Sequence, residues 1–340
     1  VSTKKRPTIR DVALEAGVSK SLVSLVFAGK EKVSPERRAA VLAAANKLGF
    51  TPNSWARSLA TGASNFVGIL VVDLHNQVYT EIADIVRIAL LARGHETFMT
   101  AAIIVEVGGR KIVEPSTVQA LLDLRPKGIL VVGDLPDERP LLSVPAHIPI
   151  VKVLTIPSDA TSREVNLRSN DDEGMRLIVE HLQAEGHKHV VYVGPMDGAV
   201  DTSRFEGYQR AMTRVGLAPL SLDATDRSEQ GGYRATVKAL SQHSETSAIV
   251  CFNDVVAVGA QDAIKESVAA GHAHIALTGY DNTHVASLRQ ISITSIEQEK
   301  VAMALKAAEL LTSERPWSEL AGQDIQFVPT LVIRDSTQRR

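Results

Sequence analysis

Apolar residues recur at helical spacing over the first fifty positions. Beyond position 65 they gather instead into short continuous runs. Ile9, Val12, Ala13 and Ala16 follow the i, i+3, i+4, i+7 rhythm of one helix face. Thr8 is a suitable N-cap, and Gly17 can take the left-handed backbone that ends a helix. Ser19 caps a second helix, whose inward face is Leu22, Val23, Val26 and Phe27 and whose other face shows Lys20, Ser21, Ser24 and Leu25. A third opens with Ser34 as cap and Pro35 at its first position, is expected to bury Val41, Leu42, Ala45 and Leu48, and stops at Gly49. None of these helices can bury much alone, so they are expected to share one core in a unit of about 50 residues.

Downstream, FVGILVVDL, KGILVVGDL, HVVYVGP and SAIVCFND are rich in Val and Ile, as strands buried on both faces are. Helical segments over 79–93, 172–185, 204–216 and 254–270 lie between them. Such alternation predicts a doubly wound parallel sheet, and the length suits two lobes. The expected fold class is α/β: a small all-α headpiece, then a two-lobed parallel-sheet core. YVGPMDG and VEVGGR bear glycines, but neither is GxGxxG after a strand, so a dinucleotide site has no support.

Charge divides the chain in the same place. Residues 1–62 carry +7 and the remainder −9, although the whole is only −2. A basic head on an acidic body is the footprint of a polyanion-binding protein, or simply a basic face turned to solvent. Spacing adds a mechanism. The small Ala13 lets two helices cross closely, Gly17 makes the turn, and Val23 closes the core, which is the arrangement of a helix-turn-helix. The second helix would then lie in the major groove with Lys20, Ser21, Ser24 and Leu25 facing DNA; a generic three-helix bundle is the alternative. A single cysteine, Cys251, excludes an internal disulfide framework and fits a reducing compartment. No run approaches the ~18 apolar residues of a membrane span, so no membrane association and a cytoplasmic location are expected.

TIRDVALEAGVSKSLVSLVFAGKEKVSPERRAAVLAAANKLGFTPNSWARSLATG resembles the N-terminal domain of lac repressor family transcription factors. The resemblance continues in order through NFVGILVVDLHNQVYTEI, EHLQAEGHKHVVYVGP, RFEGYQRAM, AIVCFNDVVAVGAQDAI, LTGYDNT and FVPTLVIRDST. It implies a repressor that binds near-palindromic operator DNA as a homodimer under control of a small polar effector, a sugar, nucleoside or similar. TPNSWARSLATG reads as Pro52, a cap at Asn53, a short helix through Ala60 and a breaker at Gly62, too short to be helical in free solution. By resemblance it is a hinge helix that orders on DNA, with Leu59 the minor-groove wedge and Arg57 near phosphate. The alternative is that Leu59 packs against the body as a linker leucine. Thr8 and Asn53 complete the expected DNA-contacting set. The expected domains are headpiece 1–51, hinge 52–64 and effector domain 65–340, with an N-lobe of about 65–163 and 294–328 and a C-lobe of about 164–293 and 329–340. The resemblance places crossings between lobes near 163–165, 291–295 and 327–330.

Ligands of open α/β sheets bind beyond the carboxyl ends of the strands. Asp73, Asn76, Asn170, Asn253, Asp254 and Asp281 stand at such ends, and Arg204 at the expected start of a helix. Arg204 in RFEGY, Asn253 in FND and Asp281 in GYDN match the family's effector-contacting residues. Carboxylate, amide and guanidinium groups suit hydroxyl-bearing ligands. For any one of them the alternative is a helix cap, as Asp172 and Asp254 are read to be, whereas Arg204 and Asp281 are read as ligand residues. Tyr79, Phe205 and Tyr280 are the rings available to stack on a ligand. The candidate effector set is therefore Asp73, Asn76, Tyr79, Asn170, Arg204, Asn253 and Asp281. The chain departs from the family at Asn76-Gln77-Val78-Tyr79, at Asn170-Asp171 and at Leu25, which bears on both pocket contents and operator sequence.

No Ser or Cys sits in a nucleophile elbow, so no enzyme is expected. The pairs His187/His189 and His272/His274 lack a carboxylate or cysteine to complete a ligand set, and neither metal nor cofactor is expected. A solute-binding component of a transport system would explain 65–340, but not the basic head.

Overall fold

The structure is a computed structural model that describes residues 7–27, 33–51, 65–157, 163–224, 226–271 and 273–338. It divides into two compact units, Val1–Ser64 and Asn65–Arg340.

In the first unit, α1 (Ile9–Glu15), α2 (Lys20–Phe27) and α3 (Pro35–Leu48) surround one core of Val12, Val23, Val26, Val33, Val41, Ala44 and Ala45. Ser19 Oγ accepts from the Leu22 amide at 3.2 Å, and Ser34 Oγ from the Arg37 amide at 3.5 Å, so each serine caps the helix it precedes. Gly17 and Gly49, at φ +64° and +66°, end their helices in the left-handed region. Leu42 corrects the expectation: it is 44% exposed, and Ala44 is buried in its stead. Positions 41, 44, 45 and 48 form one i, i+3, i+4, i+7 arc, and residue 42 lies about 100° off it.

The second unit opens with β1 (Phe66–Val71), α4 (Gln77–Ala92) and β2 (Glu96–Ala101). A hairpin of β3 (Ile104–Val107) and β4 (Arg110–Val113) turns on Gly108 and Gly109, both at positive φ as a tight two-residue turn requires. Next come α5 (Pro115–Asp123), β5 (Gly128–Val132), β6 (Ile150–Val153) and β7 (Glu164–Ser169). The chain then runs through α6 (Asp171–Ala184), β8 (Val190–Gly194), α7 (Ala199–Arg214), β9 (Leu220–Asp223), α8 (Glu229–Gln242), β10 (Ala248–Cys251), α9 (Asp254–Ala269) and β11 (Ala276–Thr278). It ends with α10 (His284–Ser287), β12 (Ser295–Glu297), α11 (Lys300–Leu311), β13 (Asp324–Phe327) and β14 (Thr330–Val332).

Two parallel sheets result, one per lobe, in the orders β13-β7-β6-β5-β1-β2 and β11-β10-β8-β9. Their central strands are covered on both faces. Val67, Ile69 and Val71 pack with α4 and α11, whereas Leu70 faces Val118 and Leu121 of α5. In the second lobe Val191, Val193 and Ile249 pack with α8 and α9, and Val190, Tyr192 and Val250 with α6 and α7. This two-sided burial is why the strands read as unbroken apolar runs.

Three elements differ from the sequence reading. β7, expected in the C-lobe, pairs with β6 and β13 in the first sheet, so the chain leaves that lobe after Ser169 rather than at 163–165. Its polar residues are matched inside: Lys152 Nζ lies 3.2 Å from Glu164, and Thr155 Oγ1 donates to Asn166 Oδ1 at 3.2 Å. Ser295–Glu297, expected in the N-lobe, pairs antiparallel with Thr330–Val332, and Thr294 bridges to Thr278 of β11. Helix α7 begins at Ala199, five residues before Arg204, because the Asp201 carboxylate accepts from the Gly198 amide at 2.8 Å and closes its first turn.

Candidate functional site

Each unit presents one candidate site. In the headpiece, Val23 and Val26 fix the inner face of α2, which leaves Lys20, Ser21, Ser24 and Leu25 exposed. Leu25 is 41% exposed, an apolar side chain turned outward beside three polar ones. The Thr8 hydroxyl and amide both donate to Asp11 Oδ2 at 2.7 Å, so this hydroxyl is engaged in starting α1. Glu15 and Lys47 join α1 to α3 at 2.5 Å. The expected contacts Asn53, Arg57 and Leu59 lie outside the described residues.

In the second unit, groups at the carboxyl ends of the two sheets act on one another across the cleft between the lobes, Tyr79 and Asp134 of the first with Arg204, Asp281, Asp201 and Arg227 of the second. On its own side Arg204 is bonded to Asp171 and Asp281. This guanidinium is buried on α7 and touches three elements. Its Nη1 donates to the Phe252 carbonyl at 2.8 Å, its Nε to Asp171 Oδ1 at 3.4 Å and its Nη2 to Asp281 Oδ1 at 3.3 Å. It also lies over the Tyr280 ring at 3.9 Å and the Phe252 ring at 4.7 Å. Burial opposes its charge, but Asp281 and Asp171 more than offset that and raise its pKa. Three of the five N–H groups are engaged, leaving two.

Asp281 is likewise buried. It accepts from Gln298 Nε2 at 2.6 Å as well as from Arg204, and its carbonyl accepts from Lys300 Nζ at 2.6 Å. Burial pushes its carboxyl up to about 7, against the pull of Arg204. Its φ of +99° is a left-handed conformation that asparagine and glycine tolerate better than aspartate.

Asn76, Asn170 and Asn253 are N-caps: their Oδ1 atoms accept from the amides of Val78 (3.2 Å), Glu173 (3.1 Å) and Val256 (2.9 Å). Each keeps an amide NH2 beyond that bond. The caps fall on Asn170 and Asn253 and not on Asp172 and Asp254, because the asparagine is the last residue with extended backbone. Asp254 lies inside its helix, where its carboxylate accepts from the Thr283 amide and hydroxyl and from Ser295 Oγ. Asp73 is exposed and bonded to the His75 amide at 2.9 Å.

Of the three rings, Tyr79 alone faces the cleft. It packs against Gly133, where a Cβ would lie 2.5 Å from its ring. Burial and the nearby Asp281 push its hydroxyl pKa up, with Arg204 opposing. Phe205 and Tyr280 belong to the second-lobe core instead, Phe205 packed 5.4 Å from Tyr192 and Tyr280 buried beneath Arg204.

Several cleft residues escape the sequence reading. Asp134 follows Gly133 at the end of β5, and its carboxyl is raised to about 6 by burial, with Lys152 opposing. Buried Asp201 accepts from Arg227 Nε at 3.3 Å and is also bonded to Arg227 Nη2. Asp134 shares the strand-end position of Asp73 and was detectable by the same rule; Arg227 sits in a loop with no motif. Among the described residues no group of three or more His, Cys, Asp or Glu could hold a metal ion, and no helix is long and apolar enough to cross a membrane. Cys251 is buried within β10, where burial pushes its thiol up.

A helix-turn-helix head with an exposed recognition face, followed by a two-lobed parallel-sheet body with a polar cleft, defines a DNA-binding regulator with a ligand domain. Residues 8–53 match the family of bacterial regulatory proteins, lacI family, and residues 179–337 match the periplasmic binding protein-like domain. The chain is 28% identical to the HTH-type transcriptional regulator GalS of Salmonella typhimurium over 98% of its length and 97% of that protein's. It is 29% identical to the HTH-type transcriptional repressor PurR of Pasteurella multocida, over 98% and 99% respectively. The crystal structure of the lac repressor dimer bound to operator and the anti-inducer ONPF matches with a TM-score of 0.80 at 26% identity, covering 98% of this chain and all of that one. The chain belongs to the lac repressor family of bacterial transcription regulators. A transport component is not favoured, because full-length relatives are DNA-binding regulators.

Proposed function

We propose that the protein is a repressor that binds a near-palindromic operator as a homodimer and responds to a small polar effector held between its lobes. The exposed face of α2 carries the DNA half of this reading. Lys20 is suited to guanine O6 and N7, Ser21 and Ser24 to base edges, and Leu25 to a thymine methyl. Thr8 is placed with these by the family pattern, although its hydroxyl is engaged by Asp11. Asn53, Arg57 and Leu59 would act through the hinge, Leu59 as a wedge at the central minor-groove step. Exposed apolar side chains on α4, β2 and the following hairpin, including Ile88, Leu91, Met99, Ile103 and Val107, support a dimer. A protein whose target is operator DNA works in the cytoplasm, and the roles of its relatives support a regulator without enzymatic activity.

The effector half rests on one observation above the others: Arg204 and Asp281 are buried, paired and faced by Tyr79 from the opposite lobe. The free N–H groups of Arg204, the amides of Asn76, Asn170 and Asn253, and the Asp73 carboxylate complete the candidate set. An effector that bridges the lobes favours the closed state by its differential affinity, and that closure biases ordering of the hinge.

Two variants test the coupling. Leu59→Ala should lower specific operator affinity and bend angle while sparing nonspecific and effector binding. Asp281→Ala should spare operator binding and abolish the effector's influence on it. Full operator affinity and bending by Leu59→Ala would remove the hinge assignment.

A further inference from the structure

The first-lobe wall of the cleft holds a carboxylate that no neighbour neutralises directly. Asp134 is half-buried, and among the described residues no donor hydrogen-bonds to it. Lys152 acts on it electrostatically, but that ammonium is already bound by Glu138 and Glu164. Across the cleft, Arg227 serves two carboxylates, Asp201 and, at 3.6 Å, Asp197. Deeper in, Arg204 serves Asp171 and Asp281. Two guanidinium groups thus face Asp134, Asp197, Asp201, Asp171 and Asp281, and the cleft keeps surplus negative charge. A second observation points to a ligand. The Tyr192 hydroxyl is buried without a hydrogen-bond partner, and a Cβ on Gly194 would stand 2.9 Å from it, which places it at the cleft end of β8. Arg204 and Asp201 both act on that hydroxyl.

We propose that the effector carries a positive charge, an ammonium or amidinium group beside hydroxyls, and that Asp134 seats this charge and sets specificity against neutral and phosphorylated analogues. This rests on reading the cleft as the effector site. A buried carboxylate without a partner is costly, and a ligand cation supplies the partner as the lobes close. The Asp201–Arg227 pair forms the opposite wall, and its own engagement leaves Arg227 unable to neutralise an added phosphate. The Tyr192 hydroxyl is available to a ligand hydroxyl or to a water held by it.

The test uses the full chain and matched probes at millimolar concentration: hexoses, their 2-amino-2-deoxy forms and their 6-phosphates, with nucleosides and their amino-substituted analogues. Thermal shift finds the binders and calorimetry measures them. Shifts are expected from amino members only, with affinity falling as salt rises. Asp134→Asn should weaken the best amino probe about tenfold or more, the weight of one charge-assisted contact. The salt dependence tests the charge even if that variant does not fold. Shifts from neutral or phosphorylated members, no shift from any amino member, or unchanged amino-probe affinity in folded Asp134→Asn would overturn the proposal. A neutral probe lost in Asp281→Ala would sink the charge inference and keep the cleft reading. An amino probe that binds Asp281→Ala undiminished would sink the cleft reading itself.

Discussion

Replacing Asp281 with asparagine should make the effector domain more stable at pH 8 while removing its response to effector. Three features of the structure carry this. The wild-type carboxylate is buried at a backbone φ of +99°, which asparagine tolerates better. The amide keeps an oxygen at the position that accepts from Gln298 Nε2 and Arg204 Nη2. Arg204 keeps the Asp171 carboxylate, the Phe252 carbonyl and the Tyr280 ring, so its own charge is not stranded.

The size and pH window follow from linkage. Burial raises the Asp281 carboxyl from near 3.8 to about 7. A rise of that extent corresponds to a penalty of about 4 kcal/mol on the ionised form. That value already includes the attraction of Arg204, so the neutral amide is expected to recover most of the penalty, a net gain of about 2–4 kcal/mol. Because the folded pKa is raised, the protonated carboxyl contributes stability below pH 4 that is lost as pH rises through 7. The advantage of the variant is therefore full at pH 8 and shrinks toward pH 5, where the folded wild-type carboxyl is protonated. Urea unfolding of both proteins at the two pH values measures the gap. A variant less stable than wild type at pH 8, by a margin that does not change toward pH 5, would refute the reasoning.

Operator affinity should fall steeply with salt, because the +7 head displaces counterions from several phosphates per dimer; a log–log slope near zero would contradict this. Exchanging exposed Lys20 should alter base preference at one symmetric pair of operator positions, read by binding-site selection, with headpiece stability unchanged within about 0.5 kcal/mol. Gly259→Ala should cost the effector domain about 3 kcal/mol or more in chemical denaturation, since a Cβ there would stand 1.7 Å from the Glu229 carbonyl oxygen where α8 and α9 touch.

The sequence is most legible where one physical cause acts alone. β1, β5, β8 and β10 are buried on both faces, so nothing but apolar residues suits them, and their runs declare themselves. β6 and β7 carry Lys152, Glu164 and Asn166 inside the protein, and β7 pairs on its other side with β13, distant in sequence. A rule built on apolar runs therefore passes over both strands, and with β7 unread nothing corrects the crossing that the resemblance places at 163–165. Leu42 misleads for a related reason: it is apolar but lies outside the buried arc, whereas the smaller Ala44 lies within it.

At the cleft two causes select the same residue type. An asparagine between a strand and a helix satisfies the capping rule and the ligand rule at once, and Asn76, Asn170 and Asn253 cap through Oδ1 while keeping an NH2. Spacing cannot separate those roles. Resemblance marks Arg204 and Asp281, but what makes them a unit is Asp171 at the start of α6 and Gln298 and Lys300 at the start of α11, both distant in sequence from Arg204. Arg227 carries no signal at all, because its meaning comes only from Asp201, on the far side of β9 in the chain. Polar chemistry assembled across a fold is written in pairs, and one strand of sequence displays only its halves.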